Sequence, residues 1–168
     1  LYMHSIFNVI FLGYAIGSAP IVSYHYGAGS KDELKNLFHL GLLIIGCAGV
    51  GLTVLSECFA GPLTSFFVGY DHELLVFTRH GFRIYALAYL VLGFNVWSSS
   101  FFTALNNGVI SAIISFLRMF LFQMVSILVL PILLKTDGVW CAVIVAESLA
   151  LLVSVSFLKT QGKKYGYR

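Results

Sequence analysis

Residues 13–35 read GYAIGSAPIVSYHYGAGSKDELK, and their reading decides the fold. An apolar segment containing Pro20 closes on Gly27-Ala28-Gly29, and a charged cluster then leads directly into a second apolar run. Proline removes a backbone donor and crowds the carbonyl four residues earlier, so a helix here is expected to bend at Pro20. In water such a residue would end the helix. Inside a bilayer it is tolerated where neighbouring helices or hydroxyls satisfy the freed groups, and Ser18 and Ser23 are near enough in sequence to help.

Composition agrees with a membrane environment. Hydrophobic residues make up 59% of the 168-residue chain and charged residues 10%, with a mean hydropathy of +0.92, whereas a soluble domain carries about 25% charged residues. The expected class is an all-α membrane protein with about five spans of ~20 residues. These are placed at 2–26, 37–58, 82–105, 109–134 and 139–158, within a bundle over 1–158. A basic tail, 159–168, is expected to be too short to fold. The chain starts at Leu1 without a basic leader region, and its first apolar segment has full helix length, so a fragment with something upstream is expected.

The connections carry their own signals. Gly41, Gly46, Gly49 and Gly51 in the second span are small residues that let helices approach closely where lipid supplies no hydrophobic drive. Residues 59–79 read as a loop with a short interfacial helix, because Gly61-Pro62 is a breaker and Asp71, His72 and Glu73 are polar. Asn106-Asn107-Gly108 and Lys135-Thr136-Asp137-Gly138 read as tight turns, with Pro131 kinking or ending the fourth span. With the first turn placed in the cytoplasm, alternation puts six basic residues inside (Lys31, Lys35, Lys159, Lys163, Lys164, Arg168) and three outside (Arg79, Arg83, Lys135). That bias supports an integral plasma-membrane protein with a cytoplasmic C-terminus. The net charge of +3 is scattered and forms no nucleic-acid stripe.

Ionisable residues at membrane depth are functional candidates, since centring one costs about 2.5–3.5 kcal/mol on insertion scales. Glu147 lies roughly nine residues, ~14 Å, into the fifth span. A carboxyl group there is placed to exchange a proton as a coupling acid; a hydrogen-bonded packing residue is the other reading. Arg118 counts as roughly 10 Å deeper than Glu147 from the outer hairpin, so snorkelling to the inner surface is expected rather than a direct salt bridge. Asn95, Asn8, Tyr85 and Tyr89 are candidates for lining a cavity that holds bulky cations through amides and aromatic faces. Glu57, near the outer helix end, is expected to be solvated.

Cys47, Cys58 and Cys141 show no metal-ligand spacing and read as small buried hydrophobes, with a Cys58 to Cys141 disulfide as the alternative. No P-loop, GxGxxG, HExxH or Ser-His-Asp arrangement supports an enzyme. Bis-histidine haem ligation by His4 and His80 is a minor reading, and no metal or cofactor is expected beyond a coupling ion.

Gly13, Gly17, Pro20, Ser23 and Tyr26-Gly27-Ala28, followed by Lys31 and Lys35, resemble the second-helix motif of one lobe in the multidrug and toxin extrusion (MATE) family of exporters. Ala19 stands where many members carry Gln. The resemblance implies five helices of a six-helix C-terminal lobe, with that lobe's first helix and the whole N-terminal lobe upstream as partners. It also implies export of small organic cations across the lipid bilayer in exchange for H⁺ or Na⁺. Some members place a coupling carboxylate on the first or fourth helix of this lobe. The matching fourth helix has no acid, which puts the main coupling acid outside this chain unless Glu147 serves. A lipid-linked saccharide flippase of the same superfamily is the alternative, and a membrane fragment that assembles with a partner is a third reading.

Overall fold

The computed structural model describes residues 2–167. They form α1 (Tyr2–Gly27), α2 (Lys31–Val68), α3 (His72–Ala86), α4 (Tyr89–Ala104) and α5 (Gly108–Phe116). A π-helical segment (Leu117–Phe122) then leads into α6 (Gln123–Tyr165). No strand occurs among the described residues. The fold is an all-helical membrane fold whose apolar side chains point outward as well as inward: Val9, Ile16, Ile132 and Leu133 are all exposed. Such a surface suits lipid, which solvates leucine as well as a protein core does.

The central helix is α4. Tyr89, Leu92, Val96, Trp97, Phe101 and Phe102 are buried on it, and α1, α2, α5 and α6 surround them. A helix that is apolar all round belongs in the middle, and Ser98 to Ser100 keep it narrow enough to be enclosed. Close approach depends on particular glycines. Gly41 of α2 lies directly on the Trp97 ring, Gly49 meets the carbonyls of Tyr89 and Leu90, and Gly93 receives Phe11 and Ile45. Gly46 makes only ordinary contact with Phe94, and Gly51 faces open space, so two of the four glycines expected to pack helices together do so tightly. Gly41→Val is accordingly expected to cost about 1–3 kcal/mol through overpacking against a Trp97 that is stacked on Phe101 and cannot yield. Gly51→Val should change stability by less than about 0.5 kcal/mol. Apparent melting temperatures of the two variants in detergent measure the contrast.

The turn at 27–30 forms as expected, with Gly29 at φ 70°, in the left-handed region that glycine enters without steric penalty. Asn106 takes φ 57° and Asn107 caps α5, its side chain accepting from the Ile110 amide at 3.2 Å. α1 runs unbroken through Pro20. Ser18 donates to the Ala15 carbonyl and Ser23 crosses to the Ala104 carbonyl at 2.9 Å, so the two hydroxyls tie the helix down at points other than the carbonyl crowded by the proline.

Residues 59–79 depart from expectation. Gly61-Pro62 does not break the chain: α2 continues to Val68, with the Thr64 hydroxyl donating back to the Ala60 carbonyl at 2.6 Å. The extension is held by α3, which Asp71 caps by accepting from the Glu73 and Leu74 amides. Arg83 reaches Glu57 at 3.5 Å, so Glu57 is paired rather than merely solvated, and the Arg79 guanidinium lies beside Gly61. The expected span 82–105 is in fact the end of α3 plus α4, bent by 46° at Leu87-Ala88. No glycine or proline marks this bend. Its carbonyls are met by α2, where Thr53 donates to Ala86 and Gly49 admits the Tyr89 and Leu90 carbonyls.

α6 is hydrogen-bonded as a helix along its length except at Lys135, whose φ of 52° and ψ of −126° reverse the chain. Gly138 consequently lies on Leu130 and Pro131, closing a hairpin where Lys135-Gly138 was expected to turn. Two other expectations need correction. The tail folds: helix persists to Tyr165, Gly166 at φ 78° caps it, and Tyr167 is fully buried against Phe38 and Phe101 with its hydroxyl donating to the Leu158 carbonyl at 3.0 Å. That burial, with Tyr165 alongside, pushes the Tyr167 phenol well above its ordinary pKa, so it stays a neutral donor. The cysteines are free, and Cys47 and Cys58 are exposed rather than buried; α2 turns both to the apolar outside, where a thiol is as acceptable as a methyl group.

Candidate functional site

The deepest polar feature joins α4, the π-helical segment and the second arm of α6. Glu147 is 5% exposed, and its two carboxylate oxygens accept from Arg118 Nε at 2.8 and 2.9 Å. Asn95, fully buried on α4, donates through Nδ2 to Glu147 Oε2 and to the Glu147 carbonyl, both at 2.8 Å. Ser154, two turns along α6, donates to Asn95 Oδ1 at 3.0 Å. The chain Ser154, Asn95, Glu147, Arg118 therefore has every central oxygen satisfied, which is what allows a carboxylate to be buried at all.

This pairing corrects the expectation that Arg118 snorkels to the inner surface. Twenty-nine residues of straight helix would separate the two side chains by roughly 44 Å, so their contact requires the reversal at Lys135. The depth count took the hairpin tip as the reference, whereas the two arms actually meet where Gly138 sits on Leu130. From that level Arg118 is twelve residues down and Glu147 nine, about 18 and 14 Å, an offset an arginine side chain spans. Arg118 also lies within the π-helical segment. The wider turn shifts the side-chain register there, and such segments recur at functional sites.

Arg118 lines two cavities. One, of about 160 Å³, is bounded by His4, Tyr85, Arg118, Gln123 and Glu147 among others. The second, of about 240 Å³, is bounded by α1, α4 and the Ser115 to Met119 stretch, with Ser99, Ser100 and Thr103 on its wall. Arg118 uses only Nε, and its terminal amino groups have no hydrogen-bond partner among the described residues.

Of the residues singled out from sequence, Glu147, Arg118 and Asn95 are brought into one network, and Tyr85 joins them on the cavity wall. Tyr89, across the bend, packs on His4 and Phe7 instead. Asn8 stays apart on α1, its Oδ1 buried without a hydrogen-bond partner. His4, paired with His80 in the haem reading, lines the cavity against Tyr85, while His80 sits at the surface with Asp137 at 3.1 Å. The two histidines thus serve separate places, against a shared haem. Gln123 and Ser154 gave no signal, since a lone amide or hydroxyl in an apolar span is ordinary. Gly13, Gly17, Pro20, Gly27 and Ala28 lie on exposed stretches of α1 and its turn, and among the described residues nothing beyond their own helix comes within 4 Å of where a side chain would start on the three glycines.

The comparisons with known proteins are consistent with this architecture. A comparison with curated protein sequences returns no match. Among solved structures the fold is similar to that of the Vibrio cholerae MATE transporter VcmN in its bent form, with a TM-score of 0.79 at 18% identity. The similarity covers 96% of this chain and 38% of that one, so the chain spans well under half the length of that transporter. The MatE family profile matches residues 3–129, which include the helix, turn and lysines of residues 13–35, and the chain belongs to the MatE family.

Proposed function

We propose that this chain forms most of the C-terminal lobe of a secondary antiporter that exports organic cations from the cytoplasm in exchange for inward H⁺ or Na⁺. The reading extends to an N-terminal lobe and one further helix as its partners, to a plasma-membrane location and to a cytoplasmic C-terminus, the last supported by the basic residues at 31–35 and 159–164. The observation that carries the proposal is the buried Glu147 carboxylate on a cavity wall beside Tyr85, held by Arg118. A proton or Na⁺ arriving at that carboxylate competes with the guanidinium, so ion binding and the packing of the α6 hairpin against α4 become one equilibrium. That is the linkage an antiporter requires. An acid with an aromatic neighbour also suits a transported organic cation.

The test is efflux. The full-length protein in a drug-sensitive host lacking its own exporters is expected to extrude ethidium, and only while a Na⁺ or H⁺ gradient is maintained. Efflux that ignores both gradients, or none at all, counts against antiport. The alternative, a flippase for lipid-linked saccharides, is favoured by one observation, the unclaimed amino groups of Arg118, which would accept a phosphate. Transbilayer movement of a lipid-linked sugar without ethidium efflux would select it.

A further inference from the structure

At the end of the lobe where α1 stops, α2 starts and α6 finishes, a third cavity of about 140 Å³ lies apart from the Arg118 site. Its lining includes His25, Tyr26, Ser30, Lys31, Lys164 and Tyr165. Two lysines converge on it from elements far apart in sequence. Neither has a carboxylate within salt-bridge distance among the described residues, although Asp32 and Glu33 are adjacent in the chain. Lys31 is positioned by its carbon stem, which packs on Gly166, and Lys164 by its ammonium group 5.4 Å above the Tyr165 ring. Tyr165 in turn accepts from Asn107 Nδ2 at 2.7 Å, so the wall is tied to α5 and is not a loose tail.

Further donors point the same way. Ser30 precedes α2 but makes no side-chain cap, so the opening amides of a 38-residue helix are left without the usual oxygen. His25 and Tyr26 close the cavity from the end of α1. A cavity rimmed by two exposed ammonium groups that no carboxylate pairs, beside a bare helix N-terminus, suits an anion. Its place at the ends of three membrane helices puts it at the level of lipid headgroups, and basic pockets between helix ends bind such headgroups.

We propose that this cavity binds a phosphate group, carried by an anionic phospholipid of the adjoining leaflet or free in solution. The occupant bridges α1, α2 and the end of α6, and so fastens the folded C-terminal segment to the first turn of the lobe.

The test uses the full-length protein, delipidated in a neutral maltoside detergent and titrated with phosphatidylglycerol or phosphatidylcholine, with bound lipid counted by native mass spectrometry. Phosphatidylglycerol is expected to be retained in preference to phosphatidylcholine, and retention should fall about fivefold for each of Lys31→Gln and Lys164→Gln. The Lys159→Gln variant, outside the cavity lining, should behave as wild type. Inorganic phosphate added as competitor separates the sources: displacement makes the free ion a competent occupant, and persistence of the lipid assigns the site to a headgroup anchored by its chains. Equal retention of the two lipids with no binding of phosphate overturns the proposal. Retention unchanged in the Lys31→Gln, Lys164→Gln double variant does so as well. Should the double variant fail to fold, the wild-type lipid comparison and Lys164→Gln alone decide.

Discussion

Replacing Arg118 by Met is expected to destabilise the protein by about 3–5 kcal/mol, the cost of leaving a buried partner charge without its counter-ion. Arg118 and Glu147 side chains are 14% and 7% exposed, so solvent screens the pair little. Methionine fills much of the arginine stem's volume, and its flexibility lets it follow the cavity wall. The loss is therefore electrostatic rather than a void. The Arg118→Met, Glu147→Met double variant is expected to recover most of that stability, because an apolar pair of similar volume removes the desolvation cost along with the attraction. Asn95 would still lose one acceptor and keep the Glu147-position carbonyl, so recovery should stop short of wild type by about 1 kcal/mol. Apparent melting temperature in detergent reads both effects. A double variant no more stable than Arg118→Met would mean that the pair matters for packing and not for charge.

How far the sequence discloses this fold can be traced residue by residue. Gly29, Asn106 and Lys135 turn the chain where turn chemistry and apolar run length place the breaks, because in a bilayer every backbone group must be satisfied within a helix and interruptions are confined to the ends. The bend at Leu87-Ala88 was invisible. It exists because Thr53 of another helix donates to the Ala86 carbonyl and Gly49 makes room for those of Tyr89 and Leu90, a tertiary cause with no local trace. Pro62 misled in the opposite direction, since a local breaker signal was outweighed by α3 packing along the extended α2.

The site was legible in its residues and not in its geometry. Glu147, Arg118 and Asn95 stand out because polar groups at membrane depth require a partner. Which partner each takes depends on where the arms of a hairpin meet, and on a π-helical turn over 117–122 that no residue type announces. A few residues of error in the reference level moved Arg118 by about a helical turn, enough to turn an ion pair into an expected snorkelling side chain. His4 was missed as a wall residue for a related reason: it lies some eighty residues from Tyr85 in the chain and meets it only through α1 packing beside the α3–α4 bend.

Glu147→Gln is expected to abolish gradient-driven ethidium efflux, reducing it to the level of cells without the transporter, while the protein remains in the membrane. The amide keeps the shape of the side chain and one oxygen that can accept from Arg118 Nε, but it leaves the guanidinium without a counter-ion, so a loss of stability comparable to that of Arg118→Met is expected as well. On the proposed function, what it removes is the group that would exchange Arg118 for a proton or Na⁺. With no titratable group there, an ion gradient has nothing at this position to act on, so on the proposed function uphill movement loses its driving force even if ethidium still binds. Membrane abundance and ethidium binding, measured on the same preparation, separate this outcome from misfolding. Full gradient-driven efflux in Glu147→Gln would remove the residue from the coupling site and leave it a structural partner of Arg118 and Asn95. The coupling acid would then have to be sought on helices other than these.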